Sequence, residues 1–465
     1  MTMFSDVPLS LIVLVLGGVC FLICSSLAGT RVWPALLYWI GWTVGIYGAE
    51  TLSGDGPMPV FTDANRQLLL QLHLAAAAGF VLACIVFHLG RGAIGRAPVG
   101  NLKGESEWRL QIHPRLITVA FLIQLSLGAF LLFGRFQEIG QFSLSNLLAD
   151  VRASYLRDAG LGVTLSPMVR LGSHAANFLV LFPFLFGVQD ALERRIHFRR
   201  VLFWWLCSIP GGISTGGRGW IVTTPVVYLI AYLITSADAF EWKRAVGVTL
   251  RVVPAVLGLA LLFSAVEKGR QTNDLLGGLK NASWYDKAPA GKAVIYYIGL
   301  PILGVDAYTE YAAEEQPYHG TLTFDFFGAQ LQRLRGGVTR TAGDFNVASR
   351  SAMFFGPYPI LFATHVPVIP NLVGDFGLQA FPYVFSAICF ICVLAYLVLR
   401  SGGIVAKFIA VTITMGLFWS FQSLMLGSAG MLLPIAWLVL LVGFDALLRN
   451  ARVYDRPMVS LQRES

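Results

Sequence analysis

Charge is scarce in this chain. Only 13% of its 465 residues are Asp, Glu, Lys or Arg, against about a quarter in a soluble domain. No segment reads as a soluble module able to fold alone. Also missing are HExxH, GxSxG, a Walker phosphate loop and any cysteine–histidine cluster, so no zincin, hydrolase or nucleotide-binding signature is present. The six cysteines, Cys20, Cys24, Cys84, Cys207, Cys389 and Cys392, all fall inside apolar runs. That argues against a disulfide framework or a zinc site. The helical spacing of Cys20/Cys24 and of Cys389/Cys392 reads as small packing residues. Only Asp6 precedes the first apolar run, with no Lys or Arg. A cleaved signal peptide has a basic start, so this run is expected to remain as a helix. No internal repeat is visible, which weakens a transporter built from inverted halves.

What the chain does have is apolar length. It is 56% hydrophobic, with a mean hydropathy of +0.66. Repeated apolar runs of about 20 residues imply an all-α, polytopic transmembrane helical bundle, one membrane domain over residues 1–465. About eleven spans are expected. They lie near Pro8–Ala28, Trp33–Ala49, Leu68–Phe87, Leu116–Phe133, Leu171–Phe186, Val201–Ile213, Trp220–Ile234, Val246–Val266, Leu372–Leu399, Ile404–Met425 and Met431–Leu447.

The positions of the basic residues orient these spans. The formal net charge of +8 is spread over short loops, which argues against nucleic acid as a partner. Loops rich in Lys and Arg face the cytoplasm. Arg91 to Arg115, Glu193 to Arg200, Lys243-Arg244, Arg400 and the tail with Arg449, Arg452, Arg456 and Arg463 read as cytoplasmic. They alternate consistently with the N-terminus outside and the C-terminus inside. The acidic loop Glu50–Asp63, the amphipathic loop 135–169, the turn at Arg218 and the large segment 267–370 then face outward. Within that large segment, Ala293–Val305 is expected to be re-entrant or interfacial, because a span there would invert all later helices. Met353–Pro370 contains four prolines and is not expected to span. Irregular backbone at membrane depth is tolerated where it is buried or lines a cavity, so an outward cavity is expected.

Several outward residues are chemically notable. Arg218 sits in Ser214-Thr215-Gly216-Gly217-Arg218-Gly219, between two apolar runs. Its guanidinium is always charged and presents a planar fork suited to phosphate. An ionisable group at a membrane turn is a functional candidate, although an arginine anchoring a helix end would look the same. Arg152 and Tyr155 lie in a segment, Ser145–Leu156, that reads as an amphipathic interfacial helix. Lys268, Arg270, Tyr318, His319, Arg340 and Arg350 lie in the large outer segment. Anionic lipid acts mainly on the cytoplasmic leaflet, so basic residues outside need another ligand, such as a lipid-borne phosphate. His319 can serve as a general base near neutrality. His174 and His365 compete for that role, as do Asp325, Asp344 and Asp375. No tight acidic pair accompanies Glu50, Asp55 and Asp63, which leans against a bound metal.

The order of these elements resembles the O-antigen polymerase (Wzy-type) family of oligosaccharide repeat-unit polymerases. The segment with Arg152 and Tyr155 precedes the small-residue turn at Arg218, similar to "G-[ST]-R-[GA]". Tyr318-His319-Gly320-Thr321 follows, similar to "Y-x-G-T". Asn371-Leu372-Val373-Gly374-Asp375-Phe376-Gly377 then resembles a shortened "G-D-x-x-x-D-F-G" region. The resemblance covers roughly Arg135–Leu399, and each motif is short.

That resemblance implies a glycosyltransferase in the bacterial inner membrane, needing no cofactor or metal. Its substrates are polyprenyl-pyrophosphate-linked oligosaccharides within membrane lipid, and its partners a chain-length regulator and a flippase. It implies Arg218, Arg152 and His319 as catalytic residues. Tyr155, Lys268, Arg270, Tyr318, Arg340 and Arg350 are implied to bind pyrophosphate or glycan. A ligase transferring finished glycan, and a lipid-linked oligosaccharide flippase or other transporter, remain open alternatives.

Overall fold

The computed structural model describes residues 7–54, 60–93, 114–139, 181–193, 196–207, 210, 219–236, 298–315, 318, 320–324, 345, 348–349, 366–421, 434–440 and 442–443. All regular structure among them is helical. The helices are α1 (Leu9–Ala28), α2 (Trp33–Leu52), α3 (Asp63–Ala93), α4 (Pro114–Ile139), α5 (Leu181–Leu192) and α6 (Phe198–Cys207). They continue with α7 (Gly219–Thr235), α8 (Val305–Glu314), α9 (Val368–Phe376), α10 (Phe381–Leu399) and α11 (Ile404–Phe418), which ends in a 3-10 turn, Trp419–Phe421. Among the described residues, four helical stretches are long and apolar enough to cross a membrane: Leu9–Ala28, Asp63–Gly90, Phe381–Leu399 and Ile404–Phe421. The span expected at Val246–Val266 lies outside the described residues, as do parts of several others.

The helices at the N-terminal end are tied together by polar side chains. A helix start leaves N–H groups unpaired and favours negative charge. Pro8 cannot cap α1, but Glu50 near the end of α2 does. Its carboxylate accepts the Leu9 N–H and the Ser10 hydroxyl, each at 2.5 Å. Glu50 therefore belongs to α2, not to the loop in which the sequence placed it. Arg66 of α3 donates to the Val7 carbonyl at the same end. At the opposite end His88 Nδ1 lies 2.9 Å from the Leu27 carbonyl, and Arg400 donates to the Thr30 hydroxyl. For α1, α3 and α10 these bonds pair start with start and end with end, so α1 runs parallel to α3 and α10 and antiparallel to α2.

Between the two ends lies the core. Tyr38, Trp42, His73, Phe80 and Phe385 are buried together. The Tyr38 hydroxyl meets His73 Nδ1 at 3.0 Å, and the Trp42 indole donates to Ser420 at 2.8 Å. Small residues bring the helices close, as is usual in membranes. A Cβ added at Gly79 of α3 would lie 2.3 Å from the Ser386 carbonyl of α10, whereas one at Gly18 would meet nothing within 4 Å. Gly79→Ala must therefore force α3 and α10 apart, an overpacking cost of about 1–3 kcal/mol. Melting of the purified protein in detergent should drop for Gly79→Ala and hold for Gly18→Ala. Equal melting would refute this close approach.

One expected span is corrected. Leu372–Leu399 is not continuous: α9 ends at Phe376 and α10 begins at Phe381. Gly377 sits at φ +86, a backbone setting that glycine adopts without penalty, and Pro382 falls in the first turn of α10. Pro370 likewise lies in the first turn of α9, where its missing N–H costs nothing. It opens a helix there rather than breaking one.

The described part of the expected re-entrant or interfacial piece packs against α2. Residues 298–303 are helical, and Leu300, Ile302 and Leu303 are buried. Gly299 abuts Gly48, and Ile302 abuts Gly45. Asn65 Nδ2 donates to the Leu303 carbonyl at 3.1 Å, and Thr62 donates to Asp306 at 2.7 Å. The segment carrying α8 is thus fixed at the start of α3, the end of the bundle where Glu50 caps α1.

Candidate functional site

At that same end a corner forms from two of the sequence motifs. The Tyr318 N–H donates to the Gly374 carbonyl at 3.1 Å, and Thr321 returns to the Tyr318 carbonyl through both its N–H and its hydroxyl. Gly320 has φ +86, so the tight turn depends on a residue without a Cβ. The Asp375 carboxylate sits inside this turn. Oδ1 accepts the Gly320 N–H at 2.9 Å and the Leu322 N–H at 3.2 Å, and Oδ2 accepts the Thr323 N–H at 2.6 Å. Tyr318 is buried against Phe345, with ring centroids 5.2 Å apart. Thus Tyr318–Thr321 and Asn371–Gly377, more than fifty positions apart in the chain, form one unit.

Tyr318 was read as a binding residue, and its ring is packed into this corner. Asp375 was read as an alternative base; instead both of its oxygens are occupied by backbone N–H groups. Burial pushes its carboxyl above the usual range, and the hydrogen bonds from the turn oppose that shift. The other candidates, Arg152, Tyr155, Arg218, Lys268, Arg270, His319, Arg340 and Arg350, lie outside the described residues. So do Asp325, Asp344, His174 and His365. Tyr318 and Gly320, which flank His319 in the chain, are both tied to the end of α9.

A second polar cluster was missed by the sequence reading. Asp190 at the end of α5 is fully buried. It accepts the His197 N–H, His197 Nδ1, Arg200 Nη2 and the Tyr228 hydroxyl, each at 2.8 Å. Arg200 also bonds Gln189 at 2.9 Å and lies over the Phe186 ring. His197 and Arg200 had been read only as members of a basic loop. The available signal was a lone acid at the end of an apolar run, followed within ten residues by His and Arg.

Among the described residues, Asp190, Glu193 and His197 bring ligand atoms within 4.8 Å of one another. A guanidinium nonetheless sits 2.8 Å from the same Asp190 oxygen that His197 uses. Asp190 is thus already neutralised and saturated, and the group reads as an ion-pair knot joining α5, α6 and α7. A third feature is a groove of about 670 Å³ beside α1 and α2, lined by Leu11, Leu14, Val44 and Tyr47. Its charged neighbours Glu50 and Arg66 are committed to the start of α1, and the rest of the lining is apolar apart from hydroxyl groups such as those of Thr43 and Tyr47.

No family model matches the chain, and no curated protein or solved structure matches it either.

Proposed function

We propose that this chain is a multi-pass enzyme of the bacterial inner membrane that polymerises polyprenyl-pyrophosphate-linked oligosaccharide repeat units at the outer face. The product is an O-antigen, capsule or exopolysaccharide. The observation that carries this reading is the corner in which the Tyr318–Thr321 and Asn371–Gly377 motifs meet at the end of a helical bundle. With the N-terminus outside, that corner faces the side on which lipid-linked repeat units are joined.

The chemistry asked of the residues is simple to balance. A hydroxyl at the non-reducing end of one repeat unit attacks the anomeric carbon of the donor glycan. A glycosidic C–O bond forms as the bond to pyrophosphate breaks, and the electron pair leaves on the polyprenyl pyrophosphate. His319 accepts the hydroxyl proton. Arg218 and Arg152 take up the charge growing on the leaving group, with Lys268, Arg270, Arg340 and Arg350 holding pyrophosphate or glycan. The leaving group drives the transfer, so this scheme calls on no resident metal or cofactor. Fixing two lipid-borne substrates in one geometry supplies much of the rate. Partners in this scheme are a flippase that delivers the substrate and a chain-length regulator.

The test is a glycan ladder from cells lacking the chromosomal copy, complemented with wild type or Arg218→Ala at equal membrane levels. Wild type should restore long chains on polyprenyl pyrophosphate, and Arg218→Ala should leave single repeat units. Unchanged chain length on deletion would overturn the polymerase. Loss of transfer from the lipid carrier with normal lengthening would point to a ligase instead.

A further inference from the structure

We propose that Asp375 is a positioning residue for His319, acting through the backbone turn on which His319 is carried. This rests on the polymerase reading above, in which His319 is the base. Asp375 sits at the end of α9, with little exposure. Its carboxylate gathers the N–H groups of Gly320, Leu322 and Thr323 at 2.9, 3.2 and 2.6 Å. The residue before it, Gly374, takes the Tyr318 N–H at 3.1 Å. Both chain neighbours of position 319 are therefore bonded to two consecutive residues of one helix.

The clamp is specific to a carboxylate. A turn presenting three N–H groups in one direction makes a concave site for an anion, and here the anion is supplied by the protein. Charge-assisted bonds of this kind are roughly twice as strong as neutral ones. Close packing reinforces the clamp: a Cβ on Gly374 would come within 2.7 Å of the Leu322 side chain, so the turn lies directly on α9. The break at Gly377 follows two residues later, which lets α9 stand apart from α10 and present its end to the turn. Asp375 cannot itself serve as the base while its oxygens hold the turn. Its effect on catalysis passes through the placement of the neighbouring imidazole.

Asparagine separates charge from shape. Asp375→Asn keeps Oδ1 as an acceptor for Gly320 and Leu322 but turns an NH2 group toward the Thr323 N–H. A misplacement of a catalytic group by about 1 Å can cost about a hundredfold. Chain elongation would be followed in membranes given polyprenyl-pyrophosphate-linked repeat units. Asp375→Asn should lower kcat by about ten- to a hundredfold, with KM for that substrate changed less than about twofold. Amide exchange in a peptide spanning residues 318–324 should quicken in the same variant, whatever the activity.

The deciding measurement is a double-mutant cycle. If Asp375 acts through His319, then Asp375→Asn adds no further loss in a His319→Ala background. Losses that multiply would overturn the proposal, because Asp375 would then act independently of the imidazole. A fully active His319→Ala would overturn it as well, by removing the base. Unchanged exchange over residues 318–324 would refute the clamp itself. Wild-type membranes that do not lengthen chains would instead sink the polymerase reading, with the exchange result still reporting on the clamp.

Discussion

Asp190→Ala should be the most destabilising single substitution among the described polar residues. The carboxylate is fully buried and holds four partners at 2.8 Å. Removing it leaves the Arg200 guanidinium, itself only 22% exposed, with its charge unpaired. Breaking a buried ion pair from one side costs about 3–5 kcal/mol, because the remaining charge stays desolvated. The Tyr228 hydroxyl and the His197 N–H lose their acceptor at the same time. Tyr228→Phe is the graded control: it keeps the ion pair and removes one hydrogen bond, for about 0.5–1.5 kcal/mol.

Thermal unfolding in detergent should therefore rank wild type, then Tyr228→Phe, then Asp190→Ala. Adding Arg200→Leu to Asp190→Ala should recover part of the loss, since no unpaired charge then remains. Chelators and added zinc should leave the melting of the wild type unchanged. An Asp190→Ala protein as stable as wild type would mean that the knot is not formed. A chelator-sensitive wild type would turn Asp190, Glu193 and His197 into a metal site after all.

The helices were legible because lipid removes most alternatives. An apolar run must satisfy its own backbone, so hydropathy alone located α1 and α2 within a few residues, together with the end of α10 and the start of α11. The break at Gly377 was less legible, because the residues on both sides are apolar and a hydropathy window averages across one glycine. Glu50 shows the same limit at a helix end: an acid shortly before Ser53-Gly54-Asp55-Gly56 reads as loop, yet it caps a helix forty positions away. Asp190 was invisible for a related reason, since its partners come from two other helices and the connection between α5 and α6.

The corner at Asp375 was half visible. Both of its motifs were picked out in the sequence, but side-chain type suggested a base where the fold uses an acceptor for backbone N–H groups. Polar contacts of this sort depend on which helix ends meet, and a single sequence does not carry that information.

Arg218→Lys should abolish chain lengthening almost as fully as Arg218→Ala, with the protein at normal levels. A positive charge can play two roles at a membrane turn. If Arg218 is an anchor, its task is to carry a charge to the interface on an apolar stem. Lysine snorkels as well as arginine does, so Arg218→Lys would then work. If Arg218 takes up charge on a departing pyrophosphate, shape matters. Arginine offers five N–H donors in a rigid planar fork that can grip two phosphate oxygens, whereas lysine is a compact point charge on a flexible stem.

Removing one preorganised donor from a developing oxyanion costs about a hundred- to a thousandfold in kcat. In a ladder experiment that loss collapses long chains to one or two repeat units. The two-glycine step before Arg218 bears on the same question, because an anchor needs no close backbone approach and a pyrophosphate site gains from one. Full-length chains from Arg218→Lys, at wild-type abundance, would reduce Arg218 to an anchor. The leaving-group contact would then have to come from Arg152 or from the basic residues between Lys268 and Arg350.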